Sequence, residues 1–94
     1  MSLNELKSLN ERLSIAEVEY LNIRREYDKR EFEIITTFDF KGEYGKDNEK
    51  IRTGHIKEVL SDLLLKKDAL SLEIESLKRE IKYQELSIEY GDVN

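Results

Sequence analysis

The sequence predicts an all-α protein, an antiparallel helical hairpin of two long coiled-coil helices, and three observations carry that prediction. Proline is absent from all 94 residues. Two long segments carry apolar residues that step by three and four, the period of one face of a helix. Between them lies a short stretch holding two glycines, Gly42 and Gly45, and three aromatic side chains, Phe38, Phe40 and Tyr44. With 38% apolar residues and a net charge of only −5, the chain is too hydrophobic and too balanced in charge to stay disordered.

The first helix is expected over about residues 3–36. Leu6, Leu9, Leu13, Ala16, Tyr20, Ile23, Tyr27, Arg30 and Ile34 form a heptad seam that only Arg30 interrupts. No glycine opposes it before Gly42, and the β-branched run Ile34-Ile35-Thr36-Thr37 weakens its end. Residues 37–47 form the connection. Asp47 or Asn48 can cap the next helix, and three aromatics in so short a link predict that it folds back as a packed cap, with a short β-like stretch over 34–40 as an alternative. The second helix is expected over about 48–89, its seam running Ile56, Leu60, Leu63, Lys67, Leu70, Ile74, Leu77, Ile81, Gln84 and Ile88. Gly54 costs it about 1 kcal/mol relative to alanine and is a candidate bend. Gly91 stands where a left-handed cap belongs, and residues 90–94 read as a tail of this single hairpin domain spanning 1–94.

Folding the chain about residue 43 sets Tyr20 opposite Lys67 and Arg30 near Ile56, and leaves Gln84, Leu86, Ile88 and Tyr90 beyond the end of the first helix. Each helix also carries a second apolar row away from its seam. On the first it is Val18, Leu21, Phe32 and Ile35, interrupted by Arg25 and Asp28; on the second it is Leu65, Leu72 and Leu86, interrupted by Arg79. Two helices alone rarely bury enough surface to offset the entropy of ordering the chain. These rows therefore call for cover, either from a second copy, giving a homodimeric four-helix bundle, or from a groove on another protein. Together with the loop aromatics Phe38, Phe40 and Tyr44 and the overhanging Ile88 and Tyr90, they are the candidate contact residues.

Chemistry beyond contact finds little support. A pI near 5.0 with interleaved signs argues against a nucleic-acid-binding face, and an acidic mimic of nucleic acid would need its carboxylates gathered on one side. No apolar run approaches the roughly 18 residues of a membrane span, and Met-Ser-Leu-Asn-Glu-Leu has no basic region followed by an apolar one, so a cytoplasmic protein without membrane contact is expected. The chain contains no cysteine, which excludes disulfides and thiolate chemistry. Asp39, Glu43, Asp47 and Glu49 invite a calcium-loop reading, but Lys41 occupies a ligand position and Tyr44 replaces the required glycine. His55 has no second histidine with which to hold zinc and reads as a half-exposed helical residue near the loop. Glu17 with Glu19, and Glu73 with Glu75, stand two apart on a helix and diverge. No cofactor, metal ligand or catalytic residue is assigned, and a non-enzyme is expected.

Thr37-Phe38-Asp39-Phe40-Lys41-Gly42 and Lys46-Asp47-Asn48-Glu49-Lys50-Ile51-Arg52 give the chain a resemblance to small proteins encoded in phage and prophage early regions. Those proteins combine two coiled-coil segments with a Thr-Asp-Phe-Lys-like turn and an Asn-Glu-Lys-x-Arg-like start to the second helix; here Phe38 is an extra residue in the turn. The resemblance implies a non-enzymatic accessory protein in the host cytoplasm that binds and modulates or inhibits a host or defence protein. It also implies that Asp39, Phe40, Lys41, Asn48 and Arg52 form a packed or partner-contacting turn. A structural coiled-coil subunit whose task is oligomer assembly and an acidic nucleic-acid mimic acting through one acidic face are the alternatives.

Overall fold

A computed structural model describes residues 3–90, and every regular element among them is a helix: α1 (Leu3–Thr37), α2 (Phe40–Tyr44), α3 (Glu49–Val59) and α4 (Ser61–Glu89). Helix α1 ends where the β-branched run predicts. The Thr36 and Thr37 hydroxyls donate to the carbonyls of Phe32 and Glu33 at 2.8 and 2.6 Å, offering the backbone acceptors a partner other than the next turn. No β-like stretch forms over 34–40, because residues 34–37 stay helical and Phe40 opens α2. The predicted cap at Gly91 and residues 92–94 of the tail lie outside the described residues.

Where the sequence reads one connecting loop, the structure builds a third helix. The Asp39 carboxylate accepts from the Gly42 amide at 2.9 Å and caps α2. Gly45, at φ 78°, closes it in the left-handed conformation, donating its amide to the Lys41 carbonyl at 2.8 Å. Asn48 then caps α3, accepting from the Ile51 amide at 3.0 Å. The second predicted helix is also not continuous. It breaks at Leu60 (φ −100°, ψ 21°), not at Gly54, which sits inside α3 with open space where a Cβ would point.

The chain divides into two compact units. One comprises residues 1–21 and 68–94, the other 22–67. In the first, among its described residues, the core is Ala16 with Leu70, Leu77, Ile81 and Gln84, and Leu6, Leu9, Leu13, Tyr20 and Ile74 are half-buried around it. In the second, Phe40, Ile56 and Leu60 are buried, with Ile23, Tyr27, Ile34, Leu63 and Lys67 half-buried. Apart from Phe40, the buried residues are all seam positions, so the heptad pattern names the buried face; the seam residue Ile88 is exposed, and Ile51 and Leu64 are half-buried off the seam. Arg30, which breaks that pattern, stays exposed and holds Glu26 at 2.9 Å.

The register differs from the sequence expectation by about one heptad. In the second unit the Lys67 ammonium lies 5.9 Å from the ring centroid of Tyr27 instead of reaching Tyr20. In the first unit Tyr20 shares a recess with Ile74. The cause is α2: with residues 40–44 coiled, the chain reverses at Gly45–Asn48 and not at residue 43. A shift of seven leaves every seam residue on the seam, so periodicity cannot detect it. One consequence corrects a predicted overhang, since Gln84 is only 4% exposed and lies in the core of the first unit.

Candidate functional site

Two surfaces concentrate the residues that could act on another molecule: an aromatic cap in the second unit, and the apolar rows on the helices. The cap is built around His55 of α3. Its imidazole lies 4.0 Å from the Phe38 ring at a 32° tilt, and the edges of Phe40 and Tyr44 meet it at 5.5 and 5.7 Å. Phe38 and Phe40 pack edge to face at 4.8 Å, a geometry that aromatic quadrupoles favour. The Tyr44 hydroxyl and His55 Nδ1 share a hydrogen bond of 2.7 Å, the hydroxyl donating where the imidazole carries its proton on Nε2. Arg52 sets its guanidinium 5.7 Å from the Phe40 centroid and grips Asp47 through two hydrogen bonds of 2.6 and 2.7 Å. That fork holds the Asp47 carboxyl below its ordinary value and raises Arg52, chiefly through the hydrogen bonds themselves.

This arrangement corrects the reading of Phe40 as a contact residue. It is 2% exposed and serves as the core of the cap; Phe38 is half-buried beside it. Tyr44, spent on His55, still leaves part of its ring open to solvent. His55 is the member that sequence reasoning missed. The signal was available in the expectation that the loop folds back over the start of the second helix, which places an aromatic-rich segment on whatever stands near residue 55. A Cβ at Gly42 would meet the Asp39 carboxylate, which would have to turn aside at the expense of its cap on the Gly42 amide.

The other predicted contact residues lie open. On α1, Val18 and Leu21 are exposed in the first unit, and Phe32 and Ile35 in the second, Phe32 at 68%. Leu65 of the second unit is 69% exposed, and in the first unit Leu72, Leu86, Ile88 and Tyr90 are exposed as well. Ile15, Val59 and Tyr83, which the sequence reading did not single out, join them.

The second unit also has a recess formed by Tyr27, Glu31, Arg52, Thr53, Ile56 and Lys57. Burial, reinforced by the nearby negative charges of Glu31 and Asp28, raises the Tyr27 phenol above its ordinary value. Among the described residues no three His, Asp or Glu side chains cluster as a metal site, His55 Nε2 makes no hydrogen bond, and no helix is long and apolar enough to cross a membrane. The arrangement can stack, bury and pair charges, which are the operations of contact. Compared with models of known protein families, with curated proteins and with solved structures, the chain matches none.

Proposed function

We propose that this chain is a non-enzymatic protein–protein interaction module. It works as a homodimer in the cytoplasm and, as a phage-type accessory protein, binds and modulates or inhibits a host or defence protein. The observation that supports this reading is the exposure of large apolar side chains in ordered helical rows beside a seam that is already filled: Leu21 and Phe32 on α1, Leu65 and Leu72 on α4. Isolated exposed leucines are ordinary, but rows at helical spacing are the form in which a helix presents itself to another helix or to a groove.

The two rows have different roles in this reading. The α1 row mediates self-association, and the α4 row, Leu65, Leu72 and Leu86 with Arg79 between the last two, meets the target. Sedimentation velocity and capture from host lysate test it with Leu21→Glu and Leu72→Glu, both surface changes that leave the fold intact. Leu21→Glu abolishes the dimer, whereas Leu72→Glu keeps the dimer and loses captured proteins. A chain that is monomeric at all concentrations, with an identical capture profile for both variants and wild type, refutes the reading.

A further inference from the structure

We infer that two copies of this chain associate through α1 alone, antiparallel, about a twofold axis that passes between Glu26 and Tyr27. The inference rests on the interaction reading above and fixes the partner, direction and register of its self-association.

The row Val18, Leu21, Arg25, Asp28, Phe32, Ile35 steps by three, four, three, four and three, so it is a complete second heptad seam along one uninterrupted helix. It lies roughly 150° around that helix from the seam that packs internally. All six residues are exposed. Neither Arg25 nor Asp28 makes an ion pair or hydrogen bond among the described residues. The α4 row Leu65, Ala69, Leu72, Ser76, Arg79, Tyr83 and Leu86 also keeps heptad spacing and is exposed, but its one charged member, Arg79, finds no acidic residue within the row to meet, so that row is not its own complement.

What identifies the occupant is that the α1 row is its own complement. Turned end for end, Val18 meets Ile35 of the second copy, Leu21 meets Phe32, and Arg25 meets Asp28. The two polar residues stand at the centre of the row and carry opposite charge, so each pairs with the other across the axis, twice. The flanking positions repeat this logic, since Arg24 comes opposite Glu31 of the second copy on the edge of the same interface. A parallel arrangement would instead oppose Arg25 to Arg25 and Asp28 to Asp28 at the centre of an apolar seam, a like-charge arrangement that excludes it. A face meant for an unrelated protein has no reason to satisfy itself, whereas an isologous dimer interface must. The four apolar residues per copy make this a small interface, below the standard size and in the range of weak, reversible association.

The native chain lacks cysteine, so single-cysteine variants report the geometry directly. Under mild oxidation an equal mixture of Leu21→Cys and Phe32→Cys is expected to give the mixed disulfide dimer. Neither variant links to itself, because identical positions are about 16 Å apart along the helix axis in this register. In sedimentation equilibrium, Arg25→Asp or Asp28→Arg alone weakens the dimer about tenfold, and the two together restore it to within about threefold of the native chain. Self-linking of Leu21→Cys, or a double exchange no better than either single one, overturns the antiparallel register while the chain still dimerises and the interaction reading stands. A chain that remains monomeric at about 1 mM, with Phe32→Glu indistinguishable from the native protein, overturns the dimer itself.

Discussion

Phe40→Ala tests whether the aromatic cap holds the second unit together. The Phe40 ring is 2% exposed, edge-on to Phe38 at 4.8 Å and to His55 at 5.5 Å, with the Arg52 guanidinium 5.7 Å from its centroid. Truncating a buried phenylalanine costs about 3–5 kcal/mol, a range that includes both lost transfer energy and the cavity left behind. The lower half applies here, because two of its neighbours reach solvent and can relax into the gap. A chain of this length has a total stability of about 5–14 kcal/mol, so a loss of about 3–4 kcal/mol raises the unfolded population by two to three powers of ten. Urea unfolding followed by circular dichroism at 222 nm and by the near-ultraviolet tyrosine signal measures it. Both signals should move to lower urea together. A midpoint shift equivalent to less than about 1 kcal/mol at 222 nm, with only the tyrosine signal lost early, would show that the cap melts on its own and that α1 and α3 do not depend on it.

Three further outcomes follow from the same geometry. Gly54→Ala, inside α3 with nothing near its Cβ, should stabilise the protein by about 0.5–1 kcal/mol, whereas Gly45→Ala, at φ 78°, should destabilise it by about 1–2 kcal/mol; equal effects in thermal melts would contradict the assigned backbone. Because Arg52 depresses Asp47 in the folded state, the pair's contribution is complete above the ordinary aspartate value of 3.8 and is lost as pH falls through the lower folded value. Asp47→Asn should therefore flatten the acid limb of the cap's near-ultraviolet signal, and an unchanged limb would remove the pair from the account. Gln84 is buried with its Oε1 unpartnered, while its amide nitrogen donates to Glu80 at 2.9 Å. Gln84→Leu should raise stability by about 1 kcal/mol in urea titrations, and a loss would reveal an acceptor role for that oxygen.

The helices and the buried face were legible in the sequence because both follow from local chemistry. Spacing by three and four selects the seam whatever packs on it, and the threonine-rich end of α1 and the asparagine cap of α3 act within a few residues of themselves. The second apolar rows were legible for the same reason, and the side chains of Val18, Phe32, Leu65 and Leu72 stand open as their positions require. What could not be read were the features decided by distant contacts. Phe40 looked like a loop aromatic available to a partner and is instead the heart of the cap, because His55, fifteen positions later, comes back to pack beside it. Lys67 was matched to the wrong tyrosine because Tyr20 and Tyr27 are a heptad apart and present the same chemistry. The break at Leu60 carries no glycine or proline to announce it.

A repeating zipper cannot measure its own alignment, since its teeth mesh equally well after sliding by one repeat. In the second unit that measurement is left to the coiled span between Asp39 and Gly45, which acts as a spacer of fixed length. Lengthening or shortening it by a whole repeat would preserve every greasy tooth while changing which charged side chain sits over which ring. A hairpin of this kind can thus exchange the partners that meet across its seam through changes confined to a few residues of the bend, leaving the zipper pattern itself untouched.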